Sequence, residues 1–147
     1  MLKKIRTAAA LAAFFVALSA FSETQAREVT LNNQHPSLGL YAIFRYVDQH
    51  TGKWTTNGWF KVEANSSRVL NLPVVGGMMY YYAHSYDVPG QYMAWAGDPD
   101  SALDVLIGVS DDKVFVRGQE PPTGSNLRNV RFKHFKIKPG PLNINFQ

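Results

Sequence analysis

The side chains best equipped for chemistry are His35, His50, His84 and His134, together with the acidic run Asp98-Pro-Asp100 and Asp104. A helical zinc site needs two histidines about one turn apart, and these four are scattered along the chain. The aspartates hint at calcium, yet the turn glycine and closing bidentate glutamate of a calcium loop are missing. Cysteine is absent, which removes thiol nucleophiles and thiolate metal sites, and no serine stands in a Gly-x-Ser-x-Gly elbow. His84 and Asp87 have the makings of a general base and its orienting carboxylate, but at that separation on a strand they point to opposite faces. His84 is expected to pack near Tyr82 and Tyr86. The residues therefore read as a non-enzyme with no catalytic group, metal or cofactor.

Recognition is the chemistry they favour. Trp54, Trp59, Trp95, Tyr80, Tyr81, Tyr82, Tyr86 and Tyr92 make an aromatic-rich middle. Rings with a flat apolar face and a polar tip suit sugars, peptides or membrane interfaces. In MMYYYAHSY, residues 78–86, both strand faces carry rings, as in a central strand covered on both sides or a sheet with one exposed aromatic face. In WTTNGWF, residues 54–60, simple alternation puts Trp54, Thr56, Gly58, Phe60 and Val62 on one face and leaves Trp59 with Thr55, Asn57 and Lys61 on the other. Trp59 is then the ring expected to face water. A bulge at Gly58 gives a different answer, because residues beyond it change face and Trp59 joins Trp54. The candidate ligand- or partner-binding residues are Trp59, Trp95 and Tyr81, with the cations Lys61, Arg131 and Lys133.

Short apolar runs separated by turn residues predict strands over 28–32, 40–47, 54–63, 68–72, 78–86, 92–96, 113–117, 130–137 and 142–146. The gaps hold turn chemistry, including two Pro-Gly pairs, Pro89-Gly90 and Pro139-Gly140, suited to type II turns. Residues 101–109 are read as a short helix and 118–129 as a long loop. The fold expected is all-β: a single-domain β-sandwich or squat barrel of about 8 to 9 antiparallel strands.

Residues 1–26 have the pattern of a cleaved, helical secretory signal peptide: Lys3, Lys4 and Arg6, an apolar run from Thr7 to Phe21, then Thr24-Gln25-Ala26. The run is too short to span a bilayer, and no second one follows. Residues 27–147 are then one exported β domain, periplasmic or secreted, with no transmembrane segment. Of 15 Lys and Arg and 11 Asp and Glu, the leader takes Lys3, Lys4, Arg6 and Glu23, which leaves 12 against 10. Asp87, Asp98, Asp100, Asp104, Asp111 and Asp112 precede a basic stretch that includes Lys113, Arg117, Arg128, Arg131, Lys133, Lys136 and Lys138. These two segments are expected to pair across the surface; the sharper alternative is a basic strand that meets an anionic partner. Nucleic acid is excluded as a partner by the compartment. Asn65-Ser66-Ser67 matches a glycosylation sequon and is left unassigned.

Trp54-x-x-x-Gly58-Trp59-Phe60, Val62-Glu63-Ala64-Asn65, Tyr80-Tyr81-Tyr82-Ala83 and Phe115-x-Arg117-Gly118 together resemble the bacterial family called domain of unknown function 1036. The resemblance runs from about Leu31 to Ile137 and implies a small exported protein, with no activity to transfer. Phe60 stands where the family has a third tryptophan, and the cysteines of many members are missing. The function expected is non-catalytic binding in the bacterial envelope, through an aromatic surface, to an envelope protein or glycan. The alternative is a toxin-immunity or enzyme-inhibitor protein of the periplasm. A third reading, an enzyme with a cryptic site, requires a pocket that joins His84 or His134 to a carboxylate.

Overall fold

The computed structural model describes residues 26–85, 90–110, 115–116 and 127–147. The signal-peptide pattern, Tyr86, Asp87, the turns at Val88-Pro89 and Asp111-Asp112, and most of the 118–129 segment lie outside the described residues. Those described form ten strands and no helix: β1 (Arg27–Asn33), β2 (Leu40–Asp48), β3 (Trp54–Val62), β4 (Ser66–Leu72), β5 (Val74–Ser85), β6 (Ala94–Trp95), β7 (Val105–Ser110), β8 (Phe115–Val116), β9 (Leu127–Lys136) and β10 (Leu142–Phe146). The all-β expectation holds, and no helix among the described residues is long and apolar enough to cross a membrane.

Two expectations are corrected. The 101–109 segment is not helical: Val105, Ile107 and Val109 alternate as β7, with β-branched side chains turned to one face and backbone paired to β9. The pairing is also not wholly antiparallel, because β10 runs parallel to β1. The chain leaves β9 in one sheet and crosses to the other through Pro139-Gly140. A crossing between sheets is free of the hairpin constraint that makes consecutive strands antiparallel. Gly140 takes φ 89° in that turn, a conformation glycine adopts without a Cβ penalty.

The smaller sheet has the order β10-β1-β4, and the larger runs β7-β9-β5-β2-β3-β8 with β6 alongside β5. Alternate residues of the small sheet, Val29, Leu31, Leu70, Leu72, Leu142, Ile144 and Phe146, pack on Leu40, Ala42, Phe44, Tyr46, Met79 and Tyr81 of the large one. Burying each of the large side chains there contributes about 1.5–3 kcal/mol. The large sheet curls into a half-barrel, and its concave face holds a second core of Ile43, Tyr82, Val109, Val130 and Phe132.

The bulge sets which ring belongs to which face. Ala42 pairs with Phe60, but Ile43 pairs with Gly58, so Trp59 is the extra residue of β3. A Cβ on Gly58 would lie 2.8 Å from the Ile43 Cα and Cβ, so only glycine lets the two strands come this close. Phe60 and Val62 consequently turn to the sandwich core, while Trp59 packs with the concave cluster. Simple alternation fails at this point, and the bulged alternative describes the strand.

Candidate functional site

The concave face is built on one cross-strand row. Arg45 in β2 pairs with Tyr80 in β5 on one side and Thr56 in β3 on the other, and Tyr80 pairs in turn with His134 in β9. Residues in register on neighbouring strands point the same way, so the row sets a cation among rings. Arg45 is only 8% exposed, and its Nη1 donates to Thr56 Oγ1 at 2.8 Å. Its guanidinium lies 5.9 Å from the Trp54 ring centroid, and Trp54 meets Tyr80 at 5.6 Å. These three side chains, with Val105 and Leu106 of β7, line a cleft of about 230 Å³. One wall is aromatic, the other aliphatic, and among the described residues the lining contains a cation and no carboxylate.

Further along the same face is a second group. The Arg128 guanidinium sits 5.4 Å from the Trp59 ring and 6.0 Å from Tyr82, within cation–π range. Trp59 meets the edges of His84 at 5.1 Å and Tyr82 at 6.1 Å, and His84 stacks on Tyr92 at 6.1 Å. The Tyr82 and Tyr92 hydroxyls share a 3.0 Å hydrogen bond. Burial, reinforced by that bond, raises the Tyr82 phenol well above its ordinary value and keeps it neutral. His84 donates from Nδ1 to the Ser85 carbonyl at 2.8 Å. Tyr92 is 63% exposed and forms the outer rim.

Asp104 fastens the wall between these strands. Its Oδ1 accepts the His134 backbone N–H at 2.7 Å and faces His134 Nδ1 at 2.6 Å, while Oδ2 accepts the Asp98 N–H at 2.7 Å. Burial alone raises this carboxyl, but the bonds from the His134 and Asp98 N–H groups and the His134 imidazole outweigh it and hold the group below its ordinary 3.8. Asp98 Oδ1 caps Asp100 N at 2.9 Å in the same turn. These carboxylates serve the backbone, and among the described residues no cluster of three or more potential ligands could hold a metal. A histidine and a carboxylate do meet here, as the cryptic-enzyme reading requires, but neither lines the cleft. Asp104 is the acidic-segment residue that meets β9, but its partner there is His134 and not one of the Lys or Arg residues of the basic segment.

The six sequence-selected residues do not converge. Trp59 and Lys61 fall on the concave side, the latter in register with Tyr41 and His84 and paired to Glu63 at 2.7 Å. Tyr81 is 8% exposed and packs in the sandwich core against Phe135 and Phe146. Trp95 lies on that side too, its Nε1 donating to the Gln147 carbonyl at 2.9 Å and its ring against Phe146. Arg131 and Lys133 alternate with Phe132 and therefore face away from the cleft; Lys133 is in register with Tyr81. Sequence reasoning passed over Arg45 and Arg128. A lone cation inside the apolar strand LYAIFRYV was the available signal for Arg45. Arg128 was placed in a loop that is in fact the start of β9.

No family model, curated protein or solved structure matches the chain.

Proposed function

We propose that this is an exported, non-catalytic binding protein of the bacterial cell envelope, whose recognition surface is the concave aromatic face and whose partner is an envelope glycan. Membership of the domain of unknown function 1036 family belongs to the same proposal and rests on the Trp54 to Phe60 motif and the tyrosine strand. The observation that supports the function is the cleft walled by Trp54 and Tyr80 with Arg45 at its side. At about 230 Å³ it is smaller than the ~300–1,000 Å³ of sites for drug-sized ligands, which matches one ring-sized unit. Flat rings present a negative face to the C–H groups of a sugar, and the phenol and guanidinium offer donors to its oxygens. The leader pattern of residues 1–26 supports the compartment. Co-sedimentation with purified, insoluble envelope polysaccharide tests the reading. The protein is expected in the pellet, and a folded Trp54→Ala variant in the supernatant. Equal partition of both into the supernatant would contradict it.

A further inference from the structure

The concave face carries an arginine set over a tryptophan twice. Arg45 lies by Trp54 inside the cleft, and Arg128 by Trp59 at the outer cluster. Both tryptophans belong to β3, and the Gly58 bulge is what turns the second one to the same side as the first. An arginine–aromatic contact on its own says little, since Arg68 also lies 5.5 Å from Phe60, which packs against the sandwich core. The two concave pairs differ in flanking a cleft and in sharing one face. Their separation follows from strand geometry: five residues at about 3.3 Å each, less the shortening of a bulge, give roughly 13–17 Å. A single sugar ring cannot touch both.

We infer that the ligand is a linear oligosaccharide bearing carboxylates, with one acidic sugar seated in the cleft at Arg45, Trp54 and Tyr80 and a second at Arg128, Trp59 and Tyr92. This rests on the glycan-binding reading and adds its charge and its length. A guanidinium presents paired N–H donors that match a carboxylate, and the adjacent ring supplies the flat surface for the sugar's C–H face. Among the described residues the cleft lining contains no carboxylate that would repel such a unit. An acidic peptide that adds to a strand edge does not fit a sheet face, and one that docks on rings and arginines is separated from a sugar by tetraglutamate in the test below.

Calorimetric titration of the purified protein with galacturonate, tetragalacturonate, maltotetraose and tetraglutamate tests the inference. Tetragalacturonate is expected to bind at least about tenfold more tightly than either galacturonate or maltotetraose, with affinity falling as salt rises. Arg45 is buried, so its replacement risks the fold; Arg128→Met and Trp54→Ala, checked by circular dichroism, carry the test instead. Each should weaken tetragalacturonate by about tenfold or more, and Lys133→Met, which removes equal charge from the other face, should not. Equal binding of maltotetraose would overturn the acidic ligand and leave glycan binding standing. Tetraglutamate binding as tightly as tetragalacturonate would overturn the sugar, as would equal loss from Lys133→Met overturn the location. If neither tetrasaccharide binds, the glycan reading falls with the inference.

Discussion

The two faces of the large sheet carry similar rings and meet different fates. On one, Met79, Tyr81 and Ala83 are covered by β1, β4 and β10, and the polar groups there are few and satisfied: Asn57 Nδ2 donates to the Tyr46 hydroxyl at 3.2 Å. On the other, Tyr80, Tyr82 and His84 alternate with them, the cover among the described residues is the sheet's own curl, and Arg45 and Arg128 stand among the rings. A face sealed by a second sheet reaches its stability through close packing. The curled face holds guanidinium and phenol groups that are buried with partners, Arg45 on Thr56 and Tyr82 on Tyr92. The difference lies in what covers the rings, and it separates the scaffold from the proposed site.

Mutations can break or sharpen that contrast. Phe44→Ala, at a fully buried position, is expected to cost about 3–5 kcal/mol in urea unfolding. Trp54→Ala on the open face should cost well under half of that; equal costs would mean that both faces are core. Gly58→Ala forces a Cβ against the Ile43 backbone and should cost about 1–3 kcal/mol while displacing Trp59, read as a change in tryptophan fluorescence. If it is neutral, the bulge does not hold Trp59 in place.

The Asp104 clasp predicts a pH dependence with a definite sign. Its folded carboxyl titrates below the ordinary 3.8, so its contribution to stability is present above that value and lost as pH falls through the lower folded one. Stability of the wild type should therefore drop in acid more steeply than that of Asp104→Asn, and the gap between the two should close at low pH. Parallel curves would remove Asp104 as the fastener of the β7 wall. The smallest effect belongs to Lys61→Ala, which breaks an exposed pair with Glu63 and should change stability by about 0–1 kcal/mol.

Strand positions were legible because alternation and turn residues acted locally. Gly52 at φ 65° follows a turn in which Asp48 Oδ1 accepts the N–H groups of His50 and Thr51, and Asn65 at φ 47° closes the next. The segment VLIGV defeated the same logic, because apolar residues at nearly every position leave no period to read. Faces were less legible than strands. Whether Trp59 joins Trp54 depends on how closely β3 approaches Ile43, a contact between strands that local pattern does not encode. The face of Arg131 and Lys133 was likewise a question of parity on β9, settled by its register with β5 and β7, whereas Arg128 falls in a stretch whose pattern reads as loop. The aromatic character of the site was readable; its arginines were not, since they acquire meaning from neighbours on other strands.

The three tryptophans offer the most direct test of the concave face as the recognition surface. Trp54 and Trp59 lie on it, while Trp95 is on the opposite side with its Nε1–H bonded to the Gln147 carbonyl. In a heteronuclear NMR titration with tetragalacturonate, the indole Nε1–H signals of Trp54 and Trp59 should shift together and saturate at one concentration, with Trp95 unmoved. A shift at Trp95 alone, or at none of the three while the ligand binds, would contradict the assignment of function to this face.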